Sequence, residues 1–242
     1  MDQTAFTKAV SALGITPTKE MLTQFEQYYE ALVSANAHVN LTAITAKPEV
    51  YLKHFYDSLT LLVALPELKT AEKSLCDVGA GAGFPSLPVK IVAPQLDVTI
   101  VDSLNKRIAF LEGLSQALGL AGVHLYHDRA ETFGGKRSGH RAAYDVVTAR
   151  AVAPLNVLAE LCLPLVRLGG QFVALKGSKG EAELEHAKVA FGELGGKLRA
   201  VHTITLPETG DPRTLIVVDK VKATPGRFPR KPGTPSKQPL GG

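Results

Sequence analysis

Three glycines and two acids mark where this chain could do chemistry. In Leu75-Cys76-Asp77-Val78-Gly79-Ala80-Gly81-Ala82-Gly83-Phe84-Pro85 an apolar strand enters a glycine turn and then a helix, and Val98-Thr99-Ile100-Val101-Asp102 is a second strand ending on a lone acid. Each glycine removes a Cβ where the backbone must turn tightly or let a ligand come close, and the helix after the turn offers free N–H groups. Asp102 lies 23 residues beyond Gly79, at the carboxyl end of its strand, where an acid in this layout accepts hydrogen bonds from a ribose diol. The constellation reads as a nucleoside site.

The glycine spacing narrows the ligand. Nicotinamide and flavin folds use G-x-G-x-x-G, which aims a helix N-terminus at a pyrophosphate, whereas here the glycines fall at 79, 81 and 83. D-x-G-x-G-x-G resembles the first motif of class I S-adenosylmethionine-dependent methyltransferases, whose ligand carries a sulfonium and no phosphate. Asp77 would suit that cation electrostatically.

These groups need a parallel sheet to position them. From Ser74 onward strands at 74–78, 98–102, 123–127, 144–149 and 170–175 alternate with helices near 85–93, 105–118, 154–166 and 179–194, a pattern that makes a parallel α/β sheet. Leu198 to Leu206 and Thr214 to Val218, joined through Pro207-Glu208-Thr209-Gly210-Asp211-Pro212, read as an antiparallel hairpin that brings the sheet to seven strands. The first 65 residues read as helical: Met21, Leu22, Phe25, Tyr28, Tyr29, Leu32 and Val33 fall at helical spacing after Pro17, a favoured first-turn residue, and a second helix from Pro48 would bury Leu52, Phe55, Leu59, Leu62 and Val63. The expected organisation is a helical appendage over 1–68, a Rossmann-like class I domain over 69–221 and a basic, proline-rich tail over 222–242.

With 242 residues, 45% of them hydrophobic, the chain can bury a real core. No apolar run reaches 18 residues and Met1-Asp2-Gln3-Thr4 lacks the features of a signal peptide, so the expected place is the cytoplasm, with no membrane partner. Cys76 and Cys162 have no metal spacing and read as core thiols; no metal is expected. The net charge of +4 is uneven, because residues 220–242 carry six basic residues and no acid, leaving the rest with 21 basic against 23 acidic. Five prolines would keep that tail extended, and composition leaves two readings of Arg227, Arg230, Lys231 and Lys237: contacts along a nucleic-acid phosphate backbone, which a nucleic-acid substrate would favour, or a solubilising disordered tail. Cofactor binding is expected not to depend on the tail.

Further segments sharpen the resemblance. Asn40-Leu41-Thr42-Ala43-Ile44, His54-Phe55-Tyr56-Asp57-Ser58-Leu59, Lys106-Arg107, Arg129-Ala130-Glu131, Thr148-Ala149-Arg150-Ala151-Val152-Ala153 and the tail's Phe228-Pro229-Arg230-Lys231 occur in this order. Together they resemble the bacterial glucose-inhibited division protein B family, guanine-N7 methyltransferases of small-subunit (16S) ribosomal RNA, over nearly the whole chain. The resemblance implies S-adenosylmethionine as cofactor and 16S rRNA or a small-subunit assembly intermediate as partner; a monomer is expected. It implies that Gly79 and Phe84 border the methionine and sulfonium end, that Asp102, Ser103 and Leu104 hold the ribose, and that Ala130 and Glu131 lie beside the adenine. The stretch Ser34-Ala35-Asn36-Ala37-His38 departs from the family in lacking a tryptophan and lysines.

The residues themselves agree with a ring nitrogen as acceptor. Guanine N7 presents a lone pair, so transfer needs positioning and electrostatics and no general base. An Asn/Asp-Pro-Pro-Tyr/Phe motif for exocyclic amines is missing after the fourth strand, and Cys162 sits in an apolar helix, poorly placed for a pyrimidine-C5 nucleophile. Arg150 would grip the methionine carboxylate or orient guanine O6, or else pair with an acid such as Glu131; Lys176 would meet the RNA phosphate or O6. His38, His54 and Asp57 read as packing or anchoring residues. A methyltransferase of small molecules or proteins, and a non-catalytic cofactor-binding protein that associates with ribosomal particles, are the alternatives; methyl incorporation into rRNA separates all three.

Overall fold

In a computed structural model, which describes residues 1–150 and 152–241, the chain opens with helices α1 (Gln3–Ala12) and α2 (Lys19–Val39). Asp2 caps α1 by accepting the Ala5 N–H at 2.8 Å, and Thr18 caps α2 by accepting the Met21 N–H at 3.2 Å. Pro17, expected in the first turn of α2, lies one residue before this cap. α2 ends at Asn40, whose φ of 52° turns the chain left-handed and sends Leu41 and Thr42 back toward the sheet. Short pieces follow: α3 (Lys47–Val50), a π-helical stretch at Tyr51–Tyr56, α4 (Asp57–Leu59), α5 (Leu61–Ala64) and a 3-10 turn at Pro66–Lys69.

The alternating part runs β1 (Ser74–Val78), α6 (Ser86–Val92), β2 (Asp97–Asp102), α7 (Asn105–Ala117), β3 (Val123–His127), α8 (Ala130–Phe133), β4 (Tyr144–Arg150), α9 (Leu155–Cys162), β5 (Val166–Lys176), α10 (Gly180–Glu193), β6 (Gly196–Thr205) and β7 (Pro212–Lys220), with α11 (Thr234–Lys237) in the carboxyl-terminal segment. The sheet order is β3-β2-β1-β4-β5-β7-β6, parallel through β5 and antiparallel at β7, so the expected seven-stranded Rossmann-like sheet is present. One boundary differs: the helix expected over 154–166 stops at Cys162. Pro164 supplies no N–H and disfavours helix at Leu163, and Val166 instead opens β5 opposite Tyr144.

Strand side chains alternate between two apolar layers, as the pleat requires. Leu75, Val98, Ile100, Val146 and Val173 face the amino-terminal helices with α6 and α7, whereas Cys76, Val78, Val101, Val147 and Phe172 face α9 and α10. Both cysteines are free and buried. Phe6, Phe25, Tyr51 and Phe55 pack with ring centroids 5.0 to 5.1 Å apart, each pair adding roughly 0.5–1.5 kcal/mol beyond its buried area. Tyr28 carries this cluster onto the sheet: its ring stacks on Phe84 at 5.4 Å and its hydroxyl donates to the Ala82 carbonyl at 2.6 Å. Among the described residues no helix is long and apolar enough to cross a membrane.

Candidate functional site

The β1–α6 turn works as its sequence demands. Gly79 and Gly81 have φ of 72° and 62°; the Gly79 N–H donates to the Val101 carbonyl at 2.8 Å and the Gly81 N–H to Asp102 Oδ2 at 3.1 Å. A Cβ on Gly81 would meet no atom within 4 Å, because the position faces an open cavity of about 520 Å³ at the carboxyl ends of the strands. Gly83 is needed for another reason. A Cβ there would lie 2.6 Å from the Tyr28 hydroxyl and 2.8 Å from Leu87, so this glycine lets α2 press on the turn.

Asp102 is 2% exposed and ties the first two loops together. Its Oδ1 accepts the Leu104 N–H at 3.0 Å, and Oδ2 accepts from Gly81 and from Arg107 Nη1 at 3.3 Å. A carboxylate has about four acceptor positions, so one is open and the long Arg107 contact is the one a diol would displace. Gly79, Gly81, Phe84, Asp102, Ser103, Ala130, Glu131 and Arg150 all line the cavity. Asp77, Gly83 and Leu104 do not. Leu104 contributes its backbone N–H to Asp102 while its side chain is exposed. Asp77 is fully buried beneath the turn, where Oδ2 accepts the Ser86 N–H at 3.0 Å and Oδ1 has no partner among the described residues. Burial raises its carboxyl to about 7, and the side chain does not reach the cavity.

His54, Arg150 and Thr42 also line this cavity, and Asp57, which like His54 the sequence suggested as a packing or anchoring residue, holds Arg150 from outside it. Arg150 Nη1 donates to Asp57 Oδ2 at 2.9 Å and to the Lys53 carbonyl at 3.1 Å, and its guanidinium lies 5.1 Å from the Phe84 ring centre. Arg150 Nη2 lies 3.4 Å from His54 Nδ1. A guanidinium only donates, so Nδ1 is the acceptor and the imidazole proton sits on Nε2. Burial, with Arg150 beside it, depresses His54 to about 4, which keeps the ring neutral. His54 Nε2–H donates to Thr42 Oγ1 at 2.8 Å, and that oxygen also accepts the Ile44 N–H at 3.0 Å. Both lone pairs are filled, and the Thr42 O–H is left for a ligand in the cavity it lines.

A second cavity, also about 520 Å³, adjoins the first and shares His54 and Arg150 with it. Lys53, Asp57, Lys176, Lys179, Glu183 and Arg213 complete much of its lining. Lys176 therefore sits in this space, donating to Glu183 at 2.8 Å and to the Ala153 carbonyl at 2.9 Å. Arg213 Nε reaches Asp57 Oδ1 at 2.8 Å, so one buried carboxylate holds two guanidiniums.

The sequence model of a family described as rRNA small subunit methyltransferase G (GidB) matches residues 21–209. The chain belongs to that family. Relatives carrying the name ribosomal RNA small subunit methyltransferase G include one from Lacticaseibacillus paracasei, 62% identical over the full length of both chains, and one from Levilactobacillus brevis, 59% identical over 99% of each. Among solved structures, TrmN from Thermus thermophilus aligns with a TM-score of 0.52 at 19% identity, covering 71% of this chain and 53% of that one. A 16S rRNA (adenine(1408)-N(1))-methyltransferase from Catenulisporales acidiphilia aligns at 0.51 and 16% identity, covering 66% and 90%. At such identities these two establish the shared fold.

In this member of the GidB family the carboxyl-terminal segment is docked, which corrects the expectation of an extended tail. Phe228 is buried, and Arg141 donates to the carbonyls of Phe228 at 2.7 Å and Thr224 at 2.8 Å. Arg230, expected on RNA, grips Glu160 with Nε at 2.9 Å and Nη2 at 2.6 Å. Glu160 is the one charged residue of the buried helix Leu155–Cys162 and is fully buried, so it demands that cation. Arg227 pairs with Glu193 at 3.3 Å on the surface, and Lys231 and Lys237 are exposed. Thr42, Arg107 and Arg213 were the residues whose placement the sequence did not disclose; the first two sit inside segments that carried the family resemblance.

Proposed function

We propose that this chain transfers a methyl group from S-adenosylmethionine to N7 of a guanine in the 16S RNA of the small ribosomal subunit, acting as a cytoplasmic monomer with the cofactor in the first cavity and the guanine in the second. The observation that carries the two-site reading is the shared wall: His54 and Arg150 line both cavities. The chain is a methyltransferase of the small-subunit rRNA family, and S-adenosylmethionine supplies an electrophilic methyl on a sulfonium.

The residues of the first cavity fit that cofactor. Asp102 offers the ribose an acceptor, the bare Gly81 lets the ligand lie on backbone, and Ala130 with Glu131 borders the adenine end. Arg150 and the Thr42 O–H face the methionine end. Asp57 offsets the charge of Arg150, which lessens the repulsion a guanidinium would exert on a sulfonium.

In the second cavity the Lys176 ammonium uses two of its three N–H groups on Glu183 and Ala153, leaving one for guanine O6. N7 needs no base, and the neutral His54 supplies none; its part is to hold Thr42 and to stack on Phe84 at 4.6 Å. Glu183 would favour the positive charge that the methylated purine gains. Incubation of small subunits with methyl-labelled S-adenosylmethionine, followed by chemical cleavage at N7-methylguanine, tests the reading. Label confined to another atom, or to protein, would overturn it.

A further inference from the structure

We infer that the carboxyl-terminal segment is a wall of the cofactor site, so that docking of the segment and binding of S-adenosylmethionine are coupled. Ser236, on the short helix α11, lines the first cavity together with Ala130 and Glu131. Glu131 Oε1 accepts the Gly233 N–H at 2.8 Å, which locks a cavity residue to the segment. Two further contacts fold the chain back over that point: Arg230 Nη2 donates to the Gln238 carbonyl at 2.8 Å, and Asn156 Nδ2 donates to the Leu240 carbonyl at 3.1 Å. Pro235 is buried beneath.

The anchor of this arrangement is the Arg230–Glu160 pair. Glu160 is 0% exposed and accepts both the Arg230 backbone N–H at 2.8 Å and its guanidinium. Undocking would take from Glu160 its guanidinium partner and a backbone N–H donor at once, so the docked place is strongly preferred. A ligand that touches Ser236 gains that contact only when the segment is in that place, and the Gly233 N–H then also fixes the Glu131 side chain beside it. Linkage is reciprocal: docking must strengthen ligand binding by the same factor that the ligand strengthens docking. The inference rests on the reading that the Ala130–Glu131 end takes the adenine, and it goes against the expectation that the tail is dispensable for the cofactor.

The test uses the full chain. Tryptic cleavage within the segment, after Arg230 and Lys237, should slow at least fivefold in saturating S-adenosylmethionine and also in adenosine, while cleavage in α1 is unchanged. The double variant Glu160→Gln, Arg230→Gln loosens the anchor without stranding a charge, and its affinity for both ligands should fall at least tenfold by calorimetry. Asp102→Asn is the control for the cavity. A normal affinity in Asp102→Asn overturns the cofactor reading and this inference with it. A loss there, together with unchanged cleavage of the wild-type segment, overturns this inference alone, and the cleavage measurement decides even if the double variant does not fold.

Discussion

Arg150, the last residue of β4, donates to Asp57 Oδ2 at 2.9 Å, and through that bond the carboxyl edge of the sheet is fastened to the helical segment. Asp57 is 5% exposed and its second oxygen holds Arg213. The two arginines are not equivalent in consequence, because only Arg150 also lines the first cavity, where the cofactor is proposed to bind.

Arg150→Ala should cost about 2 kcal/mol of stability, since Arg213 still neutralises Asp57, whereas Asp57→Ala leaves two guanidiniums facing each other and should cost about 3–5 kcal/mol. Urea unfolding of the two variants measures the order. Equal losses would mean that Arg213 does not share the carboxylate in solution.

Asp102→Ala removes the carboxylate proposed to accept from the ribose diol and also strands the N–H groups of Gly81 and Leu104. Affinity for S-adenosylmethionine should drop by about 2–3 kcal/mol, roughly 30- to 150-fold. Calorimetric titration of the folded variant checks this, and an unchanged dissociation constant would remove Asp102 from the site.

Thr42→Val takes away the hydroxyl that faces the cavity and the acceptor that holds His54. Cofactor affinity should weaken roughly tenfold, about 1.4 kcal/mol, and Thr42→Ser should restore most of it. If the serine variant is as weak as the valine one, the hydroxyl is not what the ligand needs.

Asp77 gives the site a pH dependence of known sign. Its carboxyl titrates at about 7 because burial disfavours the anion, so the negative charge grows between pH 6 and 8. A sulfonium gains from that charge and the neutral thioether of S-adenosylhomocysteine does not. The ratio of the two affinities should therefore shift severalfold toward S-adenosylmethionine across this interval, and Asp77→Asn should flatten it. For folding the sign is opposite: with the folded value raised above the ordinary 3.8, the contribution of Asp77 is full below that value and declines as pH rises through 7. Competition calorimetry at pH 6 and 8 supplies the first comparison, and a ratio that falls with pH would refute the field effect.

Much of this was legible in the sequence because buried parallel strands read as apolar runs and glycine turns read as glycines. Strands β1 to β4 lie where the apolar runs place them, to within a residue. The partners of the charged residues were not legible. Arg150 meets an acid 93 positions earlier in the chain, and Arg213 meets the same acid across 156. The tail misled because proline and basic residues are the composition of unfolded segments. One signal stood against that reading: Glu160, within Leu155–Cys162, is an acid at an apolar helix position and had to find a cation somewhere.

The ring of Phe84 lies between those of His54 and Tyr28, at 4.6 and 5.4 Å and within 16° and 10° of parallel. This three-ring stack clamps the glycine turn from the helical side before any ligand arrives. The nucleoside proposed for this cavity thus meets a seat whose backbone freedom is lost in folding, and its association should carry little of the unfavourable ordering entropy that accompanies closure of a mobile loop.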